Sequence, residues 1–318
     1  MKFKRLKLSI SYLFCALALF SYLSYAPVED ELISVMKKAD GSATIYLLDQ
    51  DNILVPLNIS IELQDEESML KEAFRKMSQP LEDSEFKAVL PLGTQLLDAQ
   101  IDEDTIVLNF NEKLLDYEPQ MEVKLLSAVV FTATSLHQNH QVVLQINGET
   151  LSYLPYRQTS LKHLDRRIGI NSFELNHSSL HDTTVMNVYY TKEIANRTYY
   201  VPMSKRVPNS LTLDEALDEI GRRVSLHSKL KQPLAIEKIS TKGSEINEEG
   251  LILHLDDSIL SEEKTCKKEA LDTLLLSIKE TLGYDKVKIY VDGVCVNGHG
   301  SNDELAGSYF EEYNRFEF

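Results

Sequence analysis

Few residue patterns in this chain could do chemistry. His137-Gln-Asn-His140 sets two imidazoles at a spacing that places both on one helical face and would suit zinc. The pair falls where a helix should end, however, and no third ligand accompanies it. His177 and His181, four residues apart, lie in a polar stretch and meet the same objection. Gly298-His299-Gly300-Ser301 brings a base near a hydroxyl, but nucleophilic catalysis also needs an acid to orient the imidazole and donors for an oxyanion. The acids of Asp256-Asp257 and Asp102-Glu103-Asp104 could supply a glycosidase's carboxylate pair or a calcium cage, yet they fall at turns and strand exits, where acids are favoured anyway. The zinc-protease helix, phosphate loop, dinucleotide fingerprint and nucleophile elbow have no match. On this reading no residue is catalytic, none binds metal or cofactor, and the protein is not an enzyme.

The elements that would carry such residues are duplicated. Ala99-Gln-Ile101-Asp-Glu-Asp-Thr-Ile106-Val-Leu108-Asn-Phe110-Asn111 aligns without a gap on Ser244-Glu-Ile246-Asn-Glu-Glu-Gly-Leu251-Ile-Leu253-His-Leu255-Asp256, an offset of about 145 residues. Upstream, Ile45-Tyr46 and Val55-Pro56 correspond to Val188-Tyr189 and Val201-Pro202. In the first copy, residues 44–48 and 53–60 read as a hairpin, Asp65 to Ser78 as an amphipathic helix, and Leu97, Ala99, Ile101 and Ile106, Leu108, Phe110 as the inward positions of a second hairpin. A helix over Val123 to Leu136 and a strand over Val142 to Ile146 close the unit. The second copy repeats this order through Asn187–Thr191, Thr198–Met203, Thr212–Leu226, Ala235–Ile239, Leu251–Leu255, Glu262–Leu282 and Val287–Val291. The fold class is therefore α+β, with two tandem ββαββαβ domains, each carrying helices on one face of a mixed or antiparallel sheet. Each copy has enough elements for a core of its own, and so is expected to fold alone.

Ahead of these units, Lys2, Lys4, Arg5 and Lys7 precede Leu8 to Ala26, 19 residues without a charge. This predicts a transmembrane signal anchor with a cytoplasmic N-terminus and extracytoplasmic domains; a cleaved signal peptide and a lipidated Cys15 are the alternatives. From Pro27 onward, 29 cations face 49 acids, a formal −20, which repels phosphate backbones and argues against nucleic-acid binding. The expected division is an anchor over 1–26, a spacer over 27–39, domains over 40–149 and 185–295, a linker over 150–184 and an acidic aromatic tail over 296–318. Cys266 and Cys295 can be read as a disulfide or as two buried thiols. A helix rising about 24 Å from Cys266 and a strand returning about 26 Å bring them to the same end of the second domain, which allows a bridge without requiring one.

The first copy resembles the GerM domain, the sporulation and spore germination family. Pro91, Gly93 and Thr94 look like that family's lead-in to its central hairpin, and Asn147-Gly148 stands where it often has Asp-Gly. The second copy keeps that pair as Asp292-Gly293 but lacks the Pro-x-Gly-Thr counterpart. The resemblance implies a membrane-anchored extracytoplasmic scaffold, without enzymatic activity, that contacts other sporulation or envelope proteins. The alternative is a module that binds peptidoglycan or another glycan and regulates a cell-wall hydrolase, with Tyr189, Tyr190, Tyr199 and Tyr200 as its aromatic platform.

Overall fold

The computed structural model describes residues 42–317 apart from 63–64, 82–83, 136, 139, 173–181, 223–228, 235–238, 240, 248–249, 261–265, 285 and 297–312. The expected anchor, His177, His181 and Gly298 to Ser301 lie outside the described residues. Among the described residues no helix is long and apolar enough to cross a membrane.

Repeat 1 runs β1 (Ser42–Leu48), β2 (Leu54–Ser60), α1 (Glu66–Met77), β3 (Leu96–Ile101), β4 (Thr105–Phe110), α2 (Glu122–Ala133), β5 (Gln141–Ile146) and β6 (Glu149–Thr150). Repeat 2 runs β7 (Thr183–Ile194), β8 (Arg197–Pro208), α3 (Leu213–Gly221), β9 (Thr241–Asn247), β10 (Gly250–Leu255), α4 (Lys268–Leu282), β11 (Val287–Val291) and β12 (Val294–Cys295). Local chemistry explains the helices. Asp65 caps α1 by accepting from the Ser68 amide, acids fill the first turn and cations the last, and Met69, Leu70, Ala73, Phe74 and Met77 make its buried stripe. A reciprocal Thr212/Glu215 capping box opens α3. Gly283, at φ 75°, ends α4.

Each repeat forms two sheets. The order β3-β4-β5-β6 recurs as β9-β10-β11-β12, mixed in both cases because the helical crossovers make β4/β5 and β10/β11 parallel. The first hairpin of each repeat, β1-β2 or β7-β8, stands apart as a two-stranded sheet. Its strands are buried along nearly their whole length, without the alternation of a one-sided sheet. A hairpin apolar on both faces needs two covers. Its own helices supply one, and the hairpin of the other repeat lies beside it to supply more. One continuous apolar core results, running from Ile45 and Phe74 through Tyr190 and Val201 to Leu274 and Ile289. The buried apolar residues of the two repeats thus meet in one contiguous cluster, where the sequence reading gives each repeat a core of its own.

Two strands also differ from expectation. A bulge between Leu96 and Asp98 turns Leu97 outward, 43% exposed, and puts Leu96 in the core instead. Of the strand expected near Ala235–Ile239, residues 235–238 lie outside the described residues; the strand that pairs with β10 is Thr241–Asn247, a polar edge strand held by backbone bonds, with no apolar pattern to read.

Candidate functional site

The residues singled out for chemistry do not converge. His137 is held by Glu66 at 3.0 Å and His140 by the Asp102 carbonyl at 3.1 Å, with their rings 4.7 Å apart. Among the described residues, no three His, Cys, Asp or Glu side chains gather as metal ligands. These histidines line a polar cleft of about 890 Å³ between the repeats, together with Arg166, Asn187 and Glu280. The cleft's Arg166 is bound by Glu280 and its Arg167 by Asp165. Tyr189, Tyr190, Tyr199 and Tyr200 are all buried, so the expected aromatic platform is part of the core.

The motif residues are turn formers. Thr94 N–H donates to the Pro91 carbonyl across a turn in which Gly93 has φ 86°, and Asn111 clasps that turn through the Gly93 carbonyl and the Gln95 amide. Asn147-Gly148 and Asp292-Gly293, both with two positive φ angles, are the two-residue turns of the β5-β6 and β11-β12 hairpins. Cys266 has a free thiol, half-buried, which burial and then Asp272 push up to about 11. Of Cys295 only the backbone, in β12, is described.

What the structure does bring together is the segment that follows each repeat. Residues 169–171 run beside the hairpin of repeat 2: the Ser204 amide donates to the Ile170 carbonyl at 2.8 Å, and the Ile170 amide to Ser204 Oγ at 2.6 Å. Residues 313–316 run beside the hairpin of repeat 1: the Asn58 amide donates to the Asn314 carbonyl at 3.0 Å, and the Phe316 amide to the Asn58 carbonyl at 2.9 Å. The tails are exchanged. From each tail an asparagine in the left-handed region, φ 51° in both, reaches back to its own hairpin. Asn171 accepts from the Leu54 amide and donates to the carbonyls of Leu54, at 2.7 Å, and Pro202, at 3.0 Å. Asn314, 3% exposed, accepts from the Tyr200 amide and donates to the carbonyls of Tyr200 and Pro56, both at 2.7 Å. Leu54 and Pro56 correspond to Tyr200 and Pro202, so the two clamps are one arrangement repeated about a pseudo-two-fold axis. A proline carries no N–H, and the amide side chains engage the carbonyls of both prolines. Gly169 is required twice over, by φ 80° and because a Cβ would stand 3.1 Å from Ser204.

Three further contacts lock this junction. Arg166 makes a bidentate pair with Glu280 of α4, at 2.7 and 3.0 Å, and also binds Thr134 at the end of α2. Lys192 of β7 binds Asp49 and Asp51 in the β1-β2 turn, and Lys229 joins Asp51. Bonds from Lys192 and then Lys229 hold the Asp51 carboxyl below its ordinary range. Phe86 packs on Tyr199 and Phe316.

A family model described as Germane, sporulation and spore germination, matches residues 44–152. Over 282 residues the chain is 28% identical to the spore germination protein GerM of Bacillus subtilis (strain 168), spanning 83% of this chain and 76% of that protein. The solved tandem GerMN domains of the sporulation protein GerM from Bacillus subtilis superpose with a TM-score of 0.70 at 26% identity, covering 80% of this chain and 91% of that one. The chain carries two tandem GerM-like domains. The family span ends at residue 152, so Asn171 lies beyond it while its partner Leu54 lies within.

Each GerM-like domain leaves one long sheet edge without a strand partner among the described residues. β3 and β9 are the terminal strands of their sheets, and no described strand pairs with their outer edges. Leu97 on β3 and Ile246 on β9, the latter 65% exposed, stand on them. Unpaired edges of this length template strand addition by another chain.

Proposed function

We propose that the protein is a non-enzymatic, membrane-anchored extracytoplasmic scaffold of a sporulation or germination envelope assembly. The observation that supports this reading best is the pair of free edges, β3 and β9, set on one core that the exchanged tails hold together. Such an arrangement presents two strand-addition sites at a fixed spacing, which is what an assembly protein needs and a catalyst does not. The charge balance of −20 from Pro27 onward favours protein contacts over nucleic acid. Membership of the membrane rests on the basic start and the uncharged span that follows it. The test is photo-crosslinking from positions 97 and 246 in sporulating cells, with protease added to intact protoplasts to read the topology. The scaffold reading predicts crosslinks to envelope-assembly proteins from both edges and digestion of the domains from outside. Hydrolysis of purified peptidoglycan by the protein, or protection of the domains in intact protoplasts, would overturn it.

A further inference from the structure

The exchanged tails are indifferent to which repeat they meet, since Asn171 and Asn314 are the same residue making the same three bonds. The charges at the junction are not indifferent. The hairpin registers pair Tyr46 with Pro56 and Tyr189 with Pro202, so Asp49, three residues beyond Tyr46, holds in repeat 1 the place that Lys192 holds in repeat 2. These two residues bind each other, with their side chains only 2% and 5% exposed. A contact between equivalent positions lies on the pseudo-two-fold axis itself. Two copies of repeat 1 joined the same way would bury Asp49 against Asp49, and two copies of repeat 2 would bury Lys192 against Lys192. Asp51 and Lys229 strengthen the contrast, because they add a second acid to one side and a second cation to the other.

We propose that the hairpin-and-tail face is a pairing surface selective for the opposite repeat, and that a second copy of this chain can occupy it: repeat 2 of each chain closes on repeat 1 of the other, and the Asp49–Lys192 axis pair forbids like pairing. This goes beyond the scaffold reading, since it needs no other protein. Every bond across the junction would be the same between chains as within one, the condition under which element exchange is a low-cost route to a dimer. Residues 172–182 connect the first clamp to β7, eleven residues that reach up to about 36 Å. Within one chain that tether keeps the partner repeat at high effective concentration, so the closed monomer dominates until its own axis pair is broken.

The proposal is tested with two full-length variants whose defects are complementary. Lys192→Asp faces its own Asp49 and Asp51 with a third acid. Asp49→Asn with Asp51→Lys sets a cation before Lys192 and Lys229, while the new amide oxygen at position 49 can still accept from the backbone N–H groups of residues 51 and 53 that Asp49 now serves. Each variant alone is expected to melt about 10 °C below the native chain. Mixed one to one, they should form a heterodimer in native mass spectrometry and regain most of the lost melting temperature, because one junction is then native and the other sets the acid introduced at position 192 against the cation introduced at position 51, leaving only the exposed Lys229 beside a like charge. All three substitutions in one chain should restore the closed monomer. The proposal is overturned if the mixture remains two monomer populations with their separate low melting points. It is overturned equally if either variant alone melts like the native chain, or if the triple variant stays as unstable as its parents, which would place the defect in the turn and not in pairing.

Discussion

Each repeat buries a carboxylate near the start of its second helix, Glu122 in one and Asp272 in the other, and the two are treated very differently. Glu122, at the start of α2, accepts from Tyr117 Oη, Thr159 Oγ1 and the amides of Tyr156 and Arg157. Burial pushes its carboxyl up, but the Thr159, Arg157, Tyr117 and Tyr156 donors more than reverse that and leave it below the ordinary range. Asp272, on α4, receives one bond, from Tyr200 Oη at 2.6 Å, and its other oxygen has no partner among the described residues. Burial raises it to about 6, with the Tyr200 bond only partly offsetting. Both groups are shut off from water, so the difference lies in the donors: burial sets what a charge could cost, and the number of N–H and O–H groups aimed at it sets what it does cost. The same contrast separates the junction, where both clamp side chains are fully partnered, from the edges of β3 and β9, which no described strand pairs.

The largest expected effect breaks the junction. Asn314→Ala leaves two carbonyls and one amide unpaired at a buried place and should destabilise the chain by about 4 kcal/mol in urea unfolding. Asn171→Ala, at the half-buried equivalent, should cost less, about 2–3 kcal/mol. Glu122→Gln comes next at about 2 kcal/mol near neutral pH, since charge-assisted bonds become ordinary ones. Because its native carboxyl is depressed, that contribution is present above the unfolded value near 4.3 and is lost as pH falls through the folded one. Asp272→Asn should act in the opposite sense. The raised native carboxyl favours folding in full below the unfolded value near 3.9, and that advantage is lost as pH rises to about 6. Measured against Asp272→Asn, the native chain should therefore lose about 2 kcal/mol between pH 4 and pH 6.5 and change little beyond. Smallest of all, Leu97→Lys and Ile246→Lys should shift stability by no more than about 0.5 kcal/mol while abolishing crosslinks from photo-crosslinkers placed at the exposed positions 100 and 244 of the same strands.

Much of this was legible in the residues. The gapless match of Ala99–Asn111 with Ser244–Asp256 predicts β4 and β10, and Leu108 and Leu253 are fully buried at its centre. The β-branched run 53–60 predicts a strand. It was harder to see that a hairpin apolar on both faces implies a second cover, because a short apolar run reads alike whether one face or two are buried. The clamps were missed because Asn171 and Asn314 lie in segments that look like a linker and a tail. A signal was present: Asn171-Ser-Phe173 and Asn314-Arg-Phe316 stand 143 residues apart, the offset that relates Tyr46 to Tyr189. Two identical residues in otherwise dissimilar stretches carry no periodicity, and only their offset marks them as part of the repeat. Glu122 was equally silent, since three of its four donors come from 155–159, a turn whose approach to α2 no local pattern announces.

The central claim is that each tail completes the hairpin of the opposite repeat. Native-state hydrogen exchange on the chain truncated after residue 312 tests it most directly. The account predicts that amides of β2, above all Asn58, lose protection in repeat 1, more than 250 residues from the cut, and that Tyr200 in β8 loses it as well. Unchanged protection throughout β1 and β2, with loss confined to repeat 2, would contradict the exchange.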